Sequence, residues 1–477
     1  MDIKHVVVLM LENRSFDSML GMLYASDESF DGLTGTEQNT WHKPGGLAQS
    51  VPVWKSPDFT PTAACIPDPD PGELFTDIHM QIQGLTADGS PNTGPGTMDG
   101  FVDNYMRQPP GDPADTPAPD PAAPMHYFTP DQVPVISRLA REFGVSDRWH
   151  ASAPCQTWPN RFFAHTATAN GYANNSPTHF PYLMETVFNR LDDAKQSWRV
   201  YFHDVPQAIT LGRLWDKALT HFRYFEEDFV NDAKNGTLPA YSFIEPRYFT
   251  DPVRGRMPND QHPPHDVTYG EALIATIYNA VRGGKGWANT LLIITYDEHG
   301  GCFDHVVPPK ATPPGGAAHD GFAFDSFGVR VPAVIISPYV AKGAKIRPAG
   351  ETPFDHTSIF ATLRKLFGLQ SLTPRDAAAP DLLHALTDVA RTDCLESIPV
   401  PAITPAQPQI ARSAARGPNG MQHGLNVTAM VLPTAGANIG AQIQRLAATT
   451  DPTPPTTSVN GAAADIATHM KAFLGRA

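Results

Sequence analysis

Two apolar runs in this chain stop abruptly at acidic clusters: IKHVVVLMLENRSFD near the start, and TLLIITYDEHGGCFDH more than halfway along. The first ends at Glu12 and Asn13, the second at Asp297, Glu298 and His299. Continuous stretches of Val, Ile and Leu mark strands buried on both faces, as in a parallel sheet covered by helices, and ligands bind beyond the carboxyl ends of such strands. The pattern predicts an α/β fold, a mostly parallel central sheet flanked by helices, with an acid-lined site at its carboxyl edge. Oxygen donors gathered there from distant segments suit one divalent metal ion. Ca²⁺, Mg²⁺ or Mn²⁺ fits best, and Zn²⁺ only if histidines join the shell.

The rest of the chain repeats the unit of helix, apolar strand and polar loop. Residues 3–13 are expected to be a central strand and 14–24 the start of a helix. VPVISRLAREFGVSDRWHAS (133–152) reads as helix then strand, and 266–283 as an amphipathic helix leading into a strand at 289–296. RVPAVIISPYV (330–340) is a further buried strand, and HTSIFATLRKLFG (356–368) a helix stopped by Gly368. Segment 107–124, rich in Pro, Ala and Asp, is expected to be an exposed loop inside the catalytic unit, because core elements continue on both sides. One catalytic domain over residues 1–395 with long loop insertions, followed by an extension over 396–477 packed on it, is the expected organisation. In the extension, 397–420 looks like a surface connection and ADIATHMKAFLG a terminal helix.

Composition limits the partners. A net charge of −14 leaves no basic footprint for nucleic acid or an anionic membrane. Any phosphate site must then supply its own local positive field, through a metal, histidines or helix termini. No apolar run approaches the roughly 20 residues that span a bilayer. The first strand starts at Ile3, which leaves no visible signal peptide, so the polypeptide as given is expected to be cytoplasmic or already processed. The four cysteines are too scattered for a zinc motif or a disulfide framework.

Thr157 is the candidate nucleophile. In SAPCQTWPNRFFAHTA it precedes Pro159 and a helix-like stretch, which places its hydroxyl at a helix N-terminus, where an anion or alkoxide is favoured. The plainer reading is a helix cap. Cys155, two residues away, lacks an acid–base partner in sequence and is expected to be an unreactive thiol. His79, His262, His265, His299, His305 and His356 lie beside acids, Gly or Pro in loop-like contexts. As a set they are candidates for phosphoryl contacts or for protonating a leaving group.

Several long motifs together carry a resemblance: HVVVLMLENRSFDSMLG, DGLTG, MDGFV, SDRWHASAPCQTWPNRFF, NDQHPPHDVTYGE, WANTLLIITYDEHGGCFDHVVPP, FGVRVPAVIISPYV and FDHTSIFATLRKLFG. Over roughly residues 3–370 the chain resembles a bacterial phosphoesterase family that contains non-zinc phospholipases C and acid phosphatase A, within the alkaline-phosphatase-like superfamily. The resemblance implies a metal site of Glu12, Asn13, Thr157, Asp297 and Glu298, with Thr157 as the residue that becomes phosphorylated. It implies His79 and His262 as catalytic phosphate contacts, and Asn13, His305 and His356 as further substrate-binding positions. Two departures stand out. The family's DPGH reads DPGE here, with Glu73 for histidine, and the usual GPT before PN reads CQT.

The expected activity is metal-dependent hydrolysis of phosphate esters, either phospholipase C-like diesters or monoesters. Loops 36–75 and 107–130 are expected to decide between them. A strict acid phosphatase is the alternative, and a non-catalytic binder of a metal or phosphorylated ligand a more distant one. A sulfatase is disfavoured by the absence of a C/S-x-P-x-R segment.

Overall fold

A computed structural model describes residues 1–475 apart from 25–26, 28, 87–88, 110–115 and 447–458. Eight strands form the central sheet: β1 (His5–Leu11), β2 (Gly144–Ser146), β3 (Trp198–Phe202), β4 (Phe222–Tyr224), β5 (Tyr241–Glu245), β6 (Thr290–Tyr296), β7 (Ala333–Ile336) and β8 (Ala344–Lys345). Their spatial order is β8-β2-β7-β6-β1-β5-β3-β4. Every pairing is parallel except those of β7, which runs antiparallel to both β6 and β2.

The two acid-terminated runs are the centre of this sheet. Val6 to Leu11 and all of β6 are buried, as a strand covered on both faces requires. Their register pairs Leu11 with Tyr296, so the next residues, Glu12 and Asp297, emerge side by side. On the other flank of β1, Leu9 pairs with Ile244, which brings Glu245 to the same carboxyl edge.

The expected helices form where apolar spacing and caps place them. Asp266 caps Val267–Arg282 by accepting from Thr268 N, and Gly368 ends Thr357–Phe367 in the left-handed region. The strand expected at 330–340 is shorter, Ala333–Ile336, and 134–142 and 144–146 follow as helix then strand. The expected loop at 107–124 falls in part on 110–115, outside the described residues. Segment 397–420 is not only a connection, since it contains the helix Gln407–Ala415 with Ile410 and Ala414 buried. Helices Gly420–Met430 and Val459–Phe473 follow, and Met421, Leu425, Ile466 and Met470 belong to the same hydrophobic cluster as the sheet.

Candidate active site

The hydroxyl of Thr157 opens the helix Thr157–Thr166, directly after its N-cap Gln156. Thr157 is fully buried, and its Oγ1 donates to Asn13 Oδ1 at 3.4 Å. Asn13 adopts a positive φ of 52°, a conformation Asn tolerates better than most residues. That turn swings its amide across the strand ends: its backbone N–H donates to Asp297 Oδ1 at 3.1 Å, and its Nδ2 to Glu298 Oε1 at 2.7 Å and Glu73 Oε1 at 2.5 Å. Gly300, also at positive φ, lies so close that a Cβ there would sit 2.3 Å from Asn13 O. The GG of DEHGG is therefore a steric requirement of the site.

Arg161, one helical turn beyond Thr157, organises the acids from beneath. Its Nε donates to Glu12 Oε1 at 3.1 Å and Asp297 Oδ2 at 3.0 Å, its Nη2 to Glu12 Oε1 at 2.8 Å, and its Nη1 to Glu245 Oε2 at 3.4 Å. Nη2 also reaches Met10 O and Leu11 O at the end of β1. Tyr248 lies under the guanidinium, 5.6 Å from ring centroid to Cζ, and donates to Glu245 Oε2 at 2.6 Å. Sequence reasoning did not single out Arg161 or Glu245. Their signals were the i, i+4 spacing of Arg161 from Thr157 and the acid closing the apolar run YSFIE.

One guanidinium does not neutralise this many carboxylates. Burial pushes the Glu12 carboxyl well above its usual range, and Asp297 pushes it further, against the opposing pull of Arg161. Glu298 is raised by burial and then by Asp297, and Glu73 by burial and then by Glu298. The buried carboxylates of Glu12, Asp297 and Glu298, with the Asn13 and Thr157 oxygens beside them, offer oxygen donors of the kind a hard divalent cation takes. Among the described residues, two groups of histidine and acids hold their ligand atoms within 4.8 Å of one another, and neither contains Glu12, Asp297 or Glu298: Asp70–Glu73–His262, and Asp17–Asp304–His305. The first adjoins the site through Glu73; the second is filled by Arg330, which pairs with Asp17 at 3.1 Å and Asp304 at 2.9 Å.

The structure separates the histidines by role. His262 is buried with Nε2 3.4 Å from Glu73 Oε1, and burial lowers its pKa to about 4, so it is neutral at pH 7. His356 lies behind the site: its Nε2 donates to Asp297 O at 2.6 Å, and its Nδ1 accepts from Trp149 Nε1 at 3.4 Å. His305 belongs to the Arg330 cluster, bonded to Asp17 at 2.6 Å and Asp31 at 3.2 Å. Burial alone would lower its pKa, but those two carboxylates raise it to about 10. His79 is exposed on the helix Phe75–Gln83 and stacks on Phe75, with ring centroids 6.0 Å apart. His299 spans Glu298 Oε2 and Gln81 Oε1. Beside the site, a cavity of about 360 Å³ is lined by Asp70, Pro263 and His265 from the sheet's loops and by Arg416, Asn419 and Gln422 from the C-terminal helices.

Comparison with known proteins identifies the family of the chain. Residues 3–370 match the model of the Phosphoesterase family. The chain is 39% identical over 417 residues to non-specific phospholipase C1 of Arabidopsis thaliana, covering 83% of this chain and 74% of that protein. It is 28% identical over 446 residues to phospholipase C A of Mycobacterium tuberculosis, covering 80% and 77%. Among solved structures, a protein in the alkaline phosphatase superfamily from Vibrio parahaemolyticus aligns over 52% of this chain and 64% of that one, at 14% identity and a TM-score of 0.30. The acids at the sheet's carboxyl edge and the family match over most of the chain lead to one conclusion: this protein belongs to the Phosphoesterase family and is a hydrolase acting on phosphoester bonds.

Proposed function

We propose that the protein hydrolyses phospholipid-type phosphodiesters by metal-assisted transfer of the phosphoryl group to Thr157 and then to water. The observation that carries this reading is the meeting of the Thr157 hydroxyl with Asn13 Oδ1 at the point where the Glu12, Asp297 and Glu298 carboxylates converge. The names of the relatives, phospholipases C, support the diester as substrate. Glu12, Asn13, Thr157, Asp297 and Glu298 would hold the cation, which would supply positive charge beside the Thr157 oxygen and the phosphoryl group.

In the first displacement the Thr157 hydroxyl gives up its proton to water, the Thr157 Oγ–phosphorus bond forms and the bond from phosphorus to the departing alcohol oxygen breaks. The helix N-terminus favours the negative charge that gathers there, and Asn13 orients the hydroxyl. The departing alkoxide takes its proton from the Glu73 carboxyl, which burial and then Glu298 favour in its protonated form and which lies between Asn13 Nδ2 and His262 Nε2. In the second displacement water attacks phosphorus and gives a proton back to the Glu73 carboxylate, the Thr157 Oγ–phosphorus bond breaks, Thr157 Oγ regains a proton from water, and the phosphorylated head group leaves. Throughout, Arg161 and His356 hold Glu12 and Asp297 in place.

The test compares wild type with Thr157→Ala on p-nitrophenylphosphorylcholine and p-nitrophenyl phosphate, metal-stripped and resupplied. Wild-type turnover that needs a divalent cation, favours the diester and drops by about four orders of magnitude in the variant is expected. Full activity in Thr157→Ala would sink the nucleophile, and preference for the monoester would favour a strict acid phosphatase.

A further inference from the structure

The C-terminal helices touch the catalytic residues at one atom that matters chemically. Asn419 Nδ2 lies 3.2 Å from Nε2 of His262. The direction of that hydrogen bond is decided on both sides. On the histidine, Nδ1 is 2.5 Å from the Pro263 carbonyl, which can only accept, so Nδ1 carries the proton and Nε2 presents a lone pair. On the asparagine, Oδ1 accepts from Gln422 N at 2.8 Å as the N-cap of helix Gly420–Met430, while Asn419 N donates to Gln422 Oε1 at 3.0 Å. The capping box thus consumes the amide oxygen and turns the NH₂ group toward His262.

The strap carrying Asn419 is anchored on both sides of this contact. Arg416 makes a two-pronged pair with Asp68, at 3.1 and 2.7 Å. Gln422 Nε2 donates to Tyr248 O at 2.7 Å, the tyrosine that lies under Arg161. One turn on, Gly424 packs against Trp158, the residue after the nucleophile, so closely that a Cβ would sit 2.6 Å from Trp158 Cζ2. A pendant extension would need none of these contacts with the catalytic loops.

We propose that Asn419 is a positioning residue of the catalytic centre, which together with the Pro263 carbonyl fixes His262 as the Nδ1–H tautomer and holds its Nε2 lone pair beside Glu73 and the phosphate position. The tautomer is a matter of geometry alone, whereas its catalytic consequence rests on the phosphoesterase reading above. His262 is 1% exposed, so water does not set the tautomer in place of Asn419. The nearly neutral fit of the ring between Pro263 O and Asn419 Nδ2 is therefore supplied by two parts of the chain more than 150 residues apart in sequence.

The discriminating variant is Asn419→Asp. Asp caps a helix as well as Asn does, so the helix stays, while the added carboxylate near Glu73 and Asp70 lowers the melting temperature by a few degrees, about as much as the Gln422→Ala control. The donor to His262 becomes an acceptor, and the ring has to present Nε2–H to it. Two measurements follow: ¹⁵N NMR of the His262 ring in the full chain, and kcat and KM on p-nitrophenylphosphorylcholine. The expected result is a proton on Nε2, where the wild type has a lone pair, with kcat down about 10- to 100-fold and KM nearly unchanged. As a control, Gln422→Ala weakens the capping box and lowers the melting temperature but keeps the wild-type tautomer. An Nε2 that stays unprotonated in Asn419→Asp, or a protonated Nε2 with kcat within about twofold of wild type, overturns the inference. Failure of the wild type to hydrolyse either ester would instead sink the hydrolase mechanism.

Discussion

Two buried arginines, Arg161 and Arg330, each collect carboxylates from distant segments, and their surroundings differ in charge balance. Arg330 meets Asp17 and Asp304, and the same cluster adds His305 on Asp17 and Asp31, Arg148 on Asp31, and Arg347 on Asp147. Each acid there has a cationic partner, and the cluster is complete. Arg161 meets Glu12, Asp297 and Glu245, while Glu298, Glu73 and Asp70 crowd beside it, paired directly with His299 and His262 and, for Asp70, attracted from further off by Arg14. Burial depresses both of those histidines, to about 3 and about 4. One cluster is a structural clasp; the other is short of positive charge, the condition in which a cation binds.

The sharpest way to break this contrast is to remove the two guanidiniums. Arg161→Met and Arg330→Met should each cost about 3–5 kcal/mol by urea unfolding, because each strands buried carboxylates. Adding Mn²⁺ should recover part of the loss only in Arg161→Met. Equal recovery in both variants would erase the distinction.

Next in size is metal removal from the wild type. Chelation should lower the melting temperature, and resupply at a hundred times the dissociation constant should restore about 2.7 kcal/mol. Asp297→Asn should abolish that response while leaving the Arg330 cluster untouched, and calorimetry with and without chelator reads both.

The balanced cluster has its own signature in pH. The pKa of His305 is raised from 6.5 to about 10, so its stabilisation is fully present below pH 6.5 and is lost as pH rises through 10. Asp31 is lowered from 3.8 to about 2, chiefly by its hydrogen bond to His305, so its share is present above pH 3.8 and lost as pH falls through 2. His305 is partly exposed, and screening reduces the effect to about 1–2 kcal/mol. Unfolding free energies between pH 6 and 10 should slope downward in wild type and flatten in His305→Gln; an unchanged slope would show that His305 is not held in its charged form.

The smallest effect is expected at Tyr248→Phe, which keeps the ring under Arg161 and removes only the hydroxyl bonded to Glu245. A loss of about 1 kcal/mol with kcat nearly unchanged is expected from urea titration and steady-state assays. A large drop in kcat would mean that Glu245 must be held by Tyr248 for Arg161 to hold its other two acids.

Much of this molecule was legible in its residues. The apolar runs of β1 and β6 specify buried parallel strands, and the polar residues that end them are the ones that meet: Glu12 beside Asp297, Asn13 beside Glu298 and Thr157. Hydrophobic periodicity and caps are local, so they survive in the sequence. Thr157 at a helix start was equally visible. The roles of the histidines were not, because His305 and His262 both stand beside acids in sequence, yet a clasp of carboxylates charges one and burial keeps the other neutral.

Sequence by itself determined the fold class and the carboxyl edge of the sheet as the place where Glu12, Asn13, Asp297 and Glu298 meet, since these follow from strand patterning and residue chemistry. Only the tertiary structure decided that Arg161 joins three acids, that Glu73 takes its place against Asn13, and that Asn419 reaches His262 from the C-terminal helices. Those contacts join residues dozens to hundreds of positions apart, and their energy comes from desolvating charges together, which no local stretch of sequence encodes.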